Sequence, residues 1–420
     1  MQILLKSARI ISENSPFKGQ TKDILISNGI IQKIGDRIQA DGAQVIEAEN
    51  LHVSGGWMDI FAHFNDPGQE YKEDLQSGSR AAAKGGFTTV LIVPNTQPAM
   101  QSKPQIEYVI SKTRHGAVQV LPMGAVSKNI EGSSLAEMIE MKEAGAVAFT
   151  DGLKPIQSPG IMLKALQYVK AFDGVIVQVP EDTSIAGHGL MNEGIQSTQL
   201  GMPGKPAIAE ELMVKRDLEL AAYTDSKIHF TGVSTAESIR LIAEAKAKGV
   251  KVTCSVTPYH LLLHDGLLRN YDTNLKVNPP LRTEADVAAL RKAVEDGTVD
   301  CFASHHLPQD WDAKTVEFEY AKNGMIGLET AFGLVSKALP NVPVEKIISM
   351  LSDVPRTIFG LPAVQIEEGA QANITCFVPG LKYIFEQEHI GSLSKNTYFL
   401  GEELQGKVIA ICNNQQYAIN

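Results

Sequence analysis

Between residues 56 and 305 short apolar runs rich in β-branched residues alternate with stretches of helical period. The runs span 56–64, 87–94, 118–126, 146–151, 174–180, 227–234, 250–258 and 298–305. Each is of strand length and is bounded by polar or glycine-containing segments. The best-defined helix between them runs from Thr235 to Lys248. Ser234 and Glu237 form a capping box there, Ile239, Ile242 and Ala243 make an apolar face, and Gly249 stands where a C-cap glycine belongs. A second helix is predicted from Glu284 to Asp296, with Thr283 as N-cap and Gly297 closing it. Eight β/α alternations predict an α/β fold of the (β/α)8 TIM-barrel type over residues 55–361. The alternative is a doubly wound open sheet, which lacks the glycine-rich phosphate loop expected after an early strand.

The ends of the chain have a shorter period. Residues 2–11 and 23–34 alternate in β fashion, the second run broken by the hairpin signal Asn28-Gly29. Asp41-Gly42 marks a further turn before Gln44-Val-Ile-Glu-Ala. After about residue 362 strands return in Gln365-Ile-Glu-Glu-Gly, Ala372-Asn-Ile-Thr-Cys-Phe-Val-Pro and Lys407-Val-Ile-Ala-Ile-Cys. Segments 1–54 and 362–420 are therefore expected to form one small β-sandwich beside the barrel.

Composition narrows the function. The net charge is −10 and no Lys/Arg cluster forms a basic stripe, which argues against a nucleic-acid partner. Cys254, Cys301, Cys376 and Cys412 are far apart, which fits a reducing cytoplasm and no disulfide framework. The N-terminus lacks the pattern of a signal peptide, and no apolar run reaches the roughly 18 residues of a membrane span.

The candidate chemistry centres on Gly55-Gly-Trp-Met-Asp-Ile-Phe-Ala-His-Phe-Asn-Asp-Pro-Gly68. On a strand, Phe61, His63 and Asn65 share a face. Two histidines so spaced at the C-terminal end of a barrel strand would hold a divalent metal, but only His63 has a lone pair to give. A lone half-buried histidine is more commonly a hydrogen-bonded structural residue.

This stretch resembles the metal-binding signature of dihydroorotases, Asp-x-His-x-His-x-Arg-x-Pro-Gly. Asp59, His63, Pro67 and Gly68 are in place, while Phe61 stands at the first His and Asn65 at the Arg. Further similarity lies in Arg80-Ala-Ala-Ala-Lys-Gly-Gly-Phe-Thr, Val93-Pro-Asn-Thr-Gln-Pro, Met191-Asn-Glu-Gly, Val277-Asn-Pro-Pro-Leu-Arg and Gly327-Leu-Glu-Thr. On these residues the chain is identified as a member of the dihydroorotase family, in the amidohydrolase superfamily, over nearly its whole length. The resemblance implies ring closure of carbamoyl aspartate and its reversal. A hydroxide on one or two divalent metals attacks the ring carbonyl, an aspartate ending the eighth strand moves the proton, and an Arg and an Asn hold the substrate carboxylate.

Set against that pattern, most reactive groups are replaced. Asp151 keeps its place in Phe149-Thr-Asp-Gly, with Gly152 where a second Asp is common. In Gln178-Val-Pro-Glu-Asp, Gln178 is read as replacing a ligand His, and a Gln amide is a poor zinc ligand. In His229-Phe-Thr-Gly-Val-Ser-Thr, Gly232 replaces another. Tyr259 stands in Thr257-Pro-Tyr-His where the family has a His. In His305-His-Leu-Pro-Gln, His305 stands at the catalytic Asp and Gln309 at a substrate-contacting His. Asn95 and Asn278 remain at substrate-binding positions.

The resemblance thus implies a catalytically inactive dihydroorotase-like protein of pyrimidine biosynthesis, cytoplasmic, with a structural or regulatory role. No metal cofactor is expected, and the partners implied are aspartate transcarbamoylase and a second copy of the chain. The alternative is an active amidohydrolase in which His63, Asp151, His305 and His229 hold zinc in a new arrangement. A third reading is a small-molecule binding protein. His306 should point away from its neighbour His305, so the two do not chelate. Phe61 and hydrogen bonds among His63, Asp151, Gln178 and His305 are expected to fill the mouth, with His305 or His63 as the partner of Asp151.

Overall fold

The computed structural model describes residues 2–420. Its centre is a parallel barrel. Strand Trp57–Ala62 pairs with Phe87–Ile92, which pairs with Gln119–Pro122. On the other side Val175–Gln178, Lys227–Phe230, Val252–Val256 and Cys301–Phe302 follow in order. The fourth run, 146–151, forms no ladder, yet Phe149 bridges to Gly124 and to Ile176 and so joins the two halves. The ring closes where Ala62 bridges His306 and the His63 amide donates to the His306 carbonyl at 2.8 Å.

Alternation along the strands sorts their side chains. Met58, Ile60, Phe61, Leu91, Val177 and Ala303 pack together inside the barrel, where Phe359 joins them. Trp57, Val90, Ile176 and Phe230 face the surrounding helices. The helix Glu284–Asp296 forms as its sequence predicts, with a Thr283–Asp286 capping box and Gly297 left-handed at φ +86°. The helix Ala236–Ala247 differs at its start. Its cap is Thr235, which accepts from the Ser238 amide, while Ser234 is turned to Glu210, which accepts from the Ser234 amide at 2.9 Å and from its hydroxyl. A glutamate far off in sequence thus takes the residue a local capping box would use.

The two chain ends build one sheet of eight strands. Its order is Gln416–Ile419, Glu403–Asn413, Ile374–Ile384, His52–Gly55, Gln2–Ile11, Thr21–Ser27, Ile30–Gly35, with Gln44–Ile46 also on Gln2–Ile11. The sheet curls around its own apolar core of Ile3, Ile10, Ile24, Val53, Ile374 and neighbours. Asn28 and Gly29 turn the hairpin with φ of +50° and +76°. Gln365-Ile-Glu-Glu-Gly is not a strand. Its Ile366 is still buried, and the Ser15 hydroxyl donates to its carbonyl, so its apolar residue anchors a loop. Strand His52–Gly55 runs almost directly into the first barrel strand, which ties the sheet to the barrel. Among the described residues no helix is long and apolar enough to cross a membrane.

Candidate functional site

The C-terminal ends of the barrel strands bring most of the expected residues to one mouth. Asp59 anchors the first strand to the eighth, accepting from the Ser304 amide at 2.6 Å and its hydroxyl at 2.9 Å. Beyond it the chain turns at Asn65, whose φ is +51°. His63 and Asn65 are both buried, and His63 Nε2 and Asn65 Nδ2 have no hydrogen-bond partner. Burial lowers the His63 pKa to about 3, so the ring is neutral at physiological pH.

Phe61 lies against His305, ring centroids 4.5 Å apart and planes at 27°. His305 is held in the left-handed region at φ +46°, and its Nε2 pairs with Thr231 Oγ1 at 2.8 Å. Burial drives its pKa to about 3 as well, with His260, His63 and His229 pushing the same way. The His305 ring occupies the space beside Gly232. A Cβ built on Gly232 would sit 2.5 Å from His305 Cε1, and Gly232 itself has φ +69°. The absence of a side chain on the sixth strand and the imidazole on the eighth are one packing arrangement.

Asp151 is buried, and its partners are not the expected histidines. Its Oδ1 accepts from the Val126 and Ser127 amides at 3.0 and 2.9 Å, and its Oδ2 accepts from the Ser127 hydroxyl. Backbone donors from the third-strand loop reach it first, and neither His305 nor His63 is needed. Burial raises its pKa while these hydrogen bonds pull it back. Asn95 is spent on the same loop: its Nδ2 donates to the Asp151 carbonyl at 3.0 Å and its Oδ1 accepts from the Leu153 amide at 3.1 Å. A Cβ on Gly152, at φ +61°, would lie 1.7 Å from Asn95 Oδ1, so a second aspartate there would displace Asn95.

Gln178 is not at the mouth. Its amide contacts Asp217 Oδ2 at 3.3 Å and the Ile156 backbone at 3.4 and 3.5 Å. Asp217 belongs to the helix Ile208–Thr224, outside the barrel. Val175, Val177 and Val179 are the inward residues of this strand. Counting back from Glu181-Asp182, the His of His-x-Glu-Asp falls on Val179, so an apolar Val179 replaces the ligand and Gln178 is its outward neighbour. The Val-x-Val-x-Val alternation was the signal that could have found it.

The remaining residues are engaged elsewhere. Lys205 Nζ donates to Asn278 Oδ1 at 2.6 Å and to Glu181 Oε2 at 2.8 Å. Gln309 Nε2 donates to the Asn323 carbonyl at 2.8 Å, leaving its buried Oε1 without a partner. His229 lies on the neighbouring strand's hydroxyls, Thr253 at 2.8 Å and Ser255 at 3.1 Å. Tyr259 is buried in an apolar cluster with Leu263 and Leu334. His306 turns away from His305: its Nδ1 accepts from the Gly327 amide at 3.1 Å, and its Nε2 faces Glu73 Oε2 at 3.4 Å. Glu73, Thr231, Ser127 and Val179 hold this site together and were not singled out by sequence.

A catalytic zinc takes three protein ligands and keeps one position open. Among the described residues no three His, Cys, Asp or Glu side chains converge in a metal-holding group. Phe61 and Val179 have no donor atoms, Gly232 has no side chain, and Asp151 is saturated by Ser127 and Val126. The residues present do not fit a divalent metal in the arrangement the family signature implies.

Comparison with known proteins agrees with this reading of the fold. A family model described as dihydro-orotase-like matches residues 52–238. The chain is 40% identical over 415 residues to a protein named dihydroorotase from Pelobacter propionicus, covering 98% of this chain and 97% of that one. It is 42% identical over 411 residues to one from Ruminiclostridium cellulolyticum, covering 97% and 96%. In structure it is similar to the L-hydantoinase (dihydropyrimidinase) of Arthrobacter aurescens, with a TM-score of 0.84 at 22% identity over 100% of this chain and 96% of that one. The fold is thus the amidohydrolase TIM barrel with its accompanying β sheet. The chain belongs to the dihydroorotase family of the amidohydrolase superfamily.

Proposed function

We propose that this dihydroorotase-like protein of pyrimidine biosynthesis does not hydrolyse or close the ring itself and serves a structural or regulatory role in a complex. The observation that carries this is the Phe61–His305–Gly232 packing. An aromatic ring and a neutral imidazole fill the place of two ligands, and the glycine that accommodates them cannot gain a side chain without a 2.5 Å clash. Loss of Arg at Asn65 also removes a bidentate charged contact for a substrate carboxylate. The partner proposed is aspartate transcarbamoylase, in the cytoplasm, with the chain as a homo-oligomer. The test has two arms. Protein purified without added metal should contain no stoichiometric zinc and show no dihydroorotate turnover, and it should co-elute with aspartate transcarbamoylase of the same organism in size-exclusion chromatography. Turnover above background would refute the inactive reading, and separate elution would refute the partner.

A second reading, an active amidohydrolase with a rearranged zinc site, has one observation in its favour. His63 Nε2 is buried with no partner, so its lone pair or proton is free. Zinc bound at one equivalent and lost in His63→Ala would establish it.

A further inference from the structure

Away from the mouth, a cavity of about 340 Å³ opens where the helix Leu75–Lys84 and the helix Ala331–Ala338 meet the terminal sheet. Its walls include Lys84, Phe332, Tyr383, His389, Lys407 and Glu329. This volume suits a small organic molecule. The charges are not balanced against each other. Lys407 Nζ makes no ion pair or hydrogen bond with the described residues and stands 5.5 Å from the Tyr383 ring centroid. His389 Nδ1 accepts from the Glu386 amide at 3.0 Å, so in the neutral ring Nε2 carries the proton and is a donor. Of the Glu329 carboxylate, Oε1 is turned onto backbone, accepting from the Gly391 and Ser392 amides at 3.0 and 3.1 Å, while Oε2 is buried without a hydrogen-bond partner. What the cavity offers a ligand is therefore a cation at Lys407, an N–H at His389, flat ring faces and, on the Glu329 wall, one unpartnered carboxylate oxygen that a ligand's own N–H or O–H can meet.

The cavity is also wired to the mouth. Residues 386–396 form a strap pressed onto the helix Leu75–Lys84; a Cβ on Gly391 would lie 2.7 Å from the Ala81 nitrogen. One end of the strap supplies His389 to the cavity. Further on, the Ser392 hydroxyl and the Leu393 amide, the latter at 3.2 Å, donate to Glu73. Glu73 in turn faces His306 Nε2, and the His306 carbonyl accepts from His63. At the far end Asn396 accepts from the Gln309 amide at 3.0 Å and donates to the Leu307 carbonyl at 3.0 Å. A shift of the strap cannot leave the loop that follows the eighth strand untouched.

We propose that this cavity binds a planar ring carrying one anionic group, and that its occupancy is transmitted to the barrel mouth through the 386–396 strap. The inference does not depend on whether the mouth is catalytic. Isothermal titration with benzoate and phenyl phosphate tests it, with benzamide as a ring without charge and inorganic phosphate as a charge without a ring. One ring anion should bind more tightly than both controls, and the tighter of the two tells carboxylate from phosphate. Lys407→Gln should weaken it about ten-fold or more, the loss of one charged hydrogen bond; Tyr383→Leu, which removes the ring face, is the second variant. Hydrogen exchange should slow at residues 307–309 when the ligand binds, and Asn396→Ala, which removes the strap's bonds to Gln309 and Leu307, should keep the binding and lose that slowing. Equal binding of inorganic phosphate or benzamide, binding unchanged in both cavity variants, or exchange at 307–309 indifferent to the ligand would each overturn the proposal.

Discussion

Gly232→Ala is the sharpest probe of the mouth. The methyl group must enter 2.5 Å from His305 Cε1 and 3.0 Å from its Nε2, on a backbone at φ +69°. Holding a non-glycine residue in the left-handed region costs about 1–2 kcal/mol. The ring of His305 must then move, giving up its hydrogen bond to Thr231, worth about 1 kcal/mol net. It also loses its stack on Phe61, worth about 0.5–1.5 kcal/mol. The total is about 2.5–4.5 kcal/mol. In a His305→Ala background the ring is gone and only the backbone part, about 1–2 kcal/mol, should remain. Urea unfolding of wild type, both single variants and the double variant should therefore give a coupling energy of about 2 kcal/mol. If the two substitutions are additive within about 0.5 kcal/mol, the two positions do not share one space and the packing argument against a metal at the mouth fails.

Other outcomes follow from the same geometry. Phe61→Ala should empty a well-packed barrel position and lower stability by about 3–5 kcal/mol, and a loss below about 1 kcal/mol would mean that the mouth collapses around the gap. The joint variant Phe61→His, Asn65→Arg, Val179→His, Gly232→His, His305→Asp should bind zinc by elemental analysis, whereas the set with Gln178→His in place of Val179→His should not, because position 178 faces the helices; equal zinc in both would refute the assignment of faces. Asp217, its pKa raised to about 6 by burial against the pull of Arg216 and Gln178, keeps its proton in the folded state to higher pH than the 3.8 of the free group. Its contribution favours the folded state at low pH and is lost as pH rises from about 4 through 6, by about 3 kcal/mol for two pH units. Asp217→Asn lacks this loss, so its stability relative to wild type should improve by that order between pH 4 and 7 in urea unfolding, and a difference of the opposite sign would show that the carboxylate is stabilised in its charged form.

The barrel was legible because each apolar run is bounded by breakers and most of the intervening segments carry helical signals. Even the fourth run was visible, although only Phe149 makes bridges there. What sequence could not supply was which face a strand-end residue takes. A slip of one residue exchanges inside for outside, and that slip is the whole difference between Gln178 and Val179. Hydrogen-bond partners distant in sequence were equally hidden. Asp151 finds Ser127, Ser234 finds Glu210, and nothing local in either segment announces the other. The left-handed backbone at Gly232 and His305 was hidden for the same reason, since His305 adopts a conformation that its residue type seldom prefers.

The replacements at the mouth depend on one another. A histidine at position 232 and the present His305 ring would claim the same volume, so a side chain cannot enter at 232 while His305 keeps its place. Phe61 then gives the neutral His305 ring an apolar face to lie on, which a ligand histidine bound to metal would not offer. His305 Nε2 in turn is paired with Thr231, a residue of the same strand as Gly232. Burial keeps that ring neutral. Residues of three strands, Phe61, Gly232 and His305, pack around a single aromatic contact, and the polar atoms left without partners beside it are those of His63, Asn65 and Gln309.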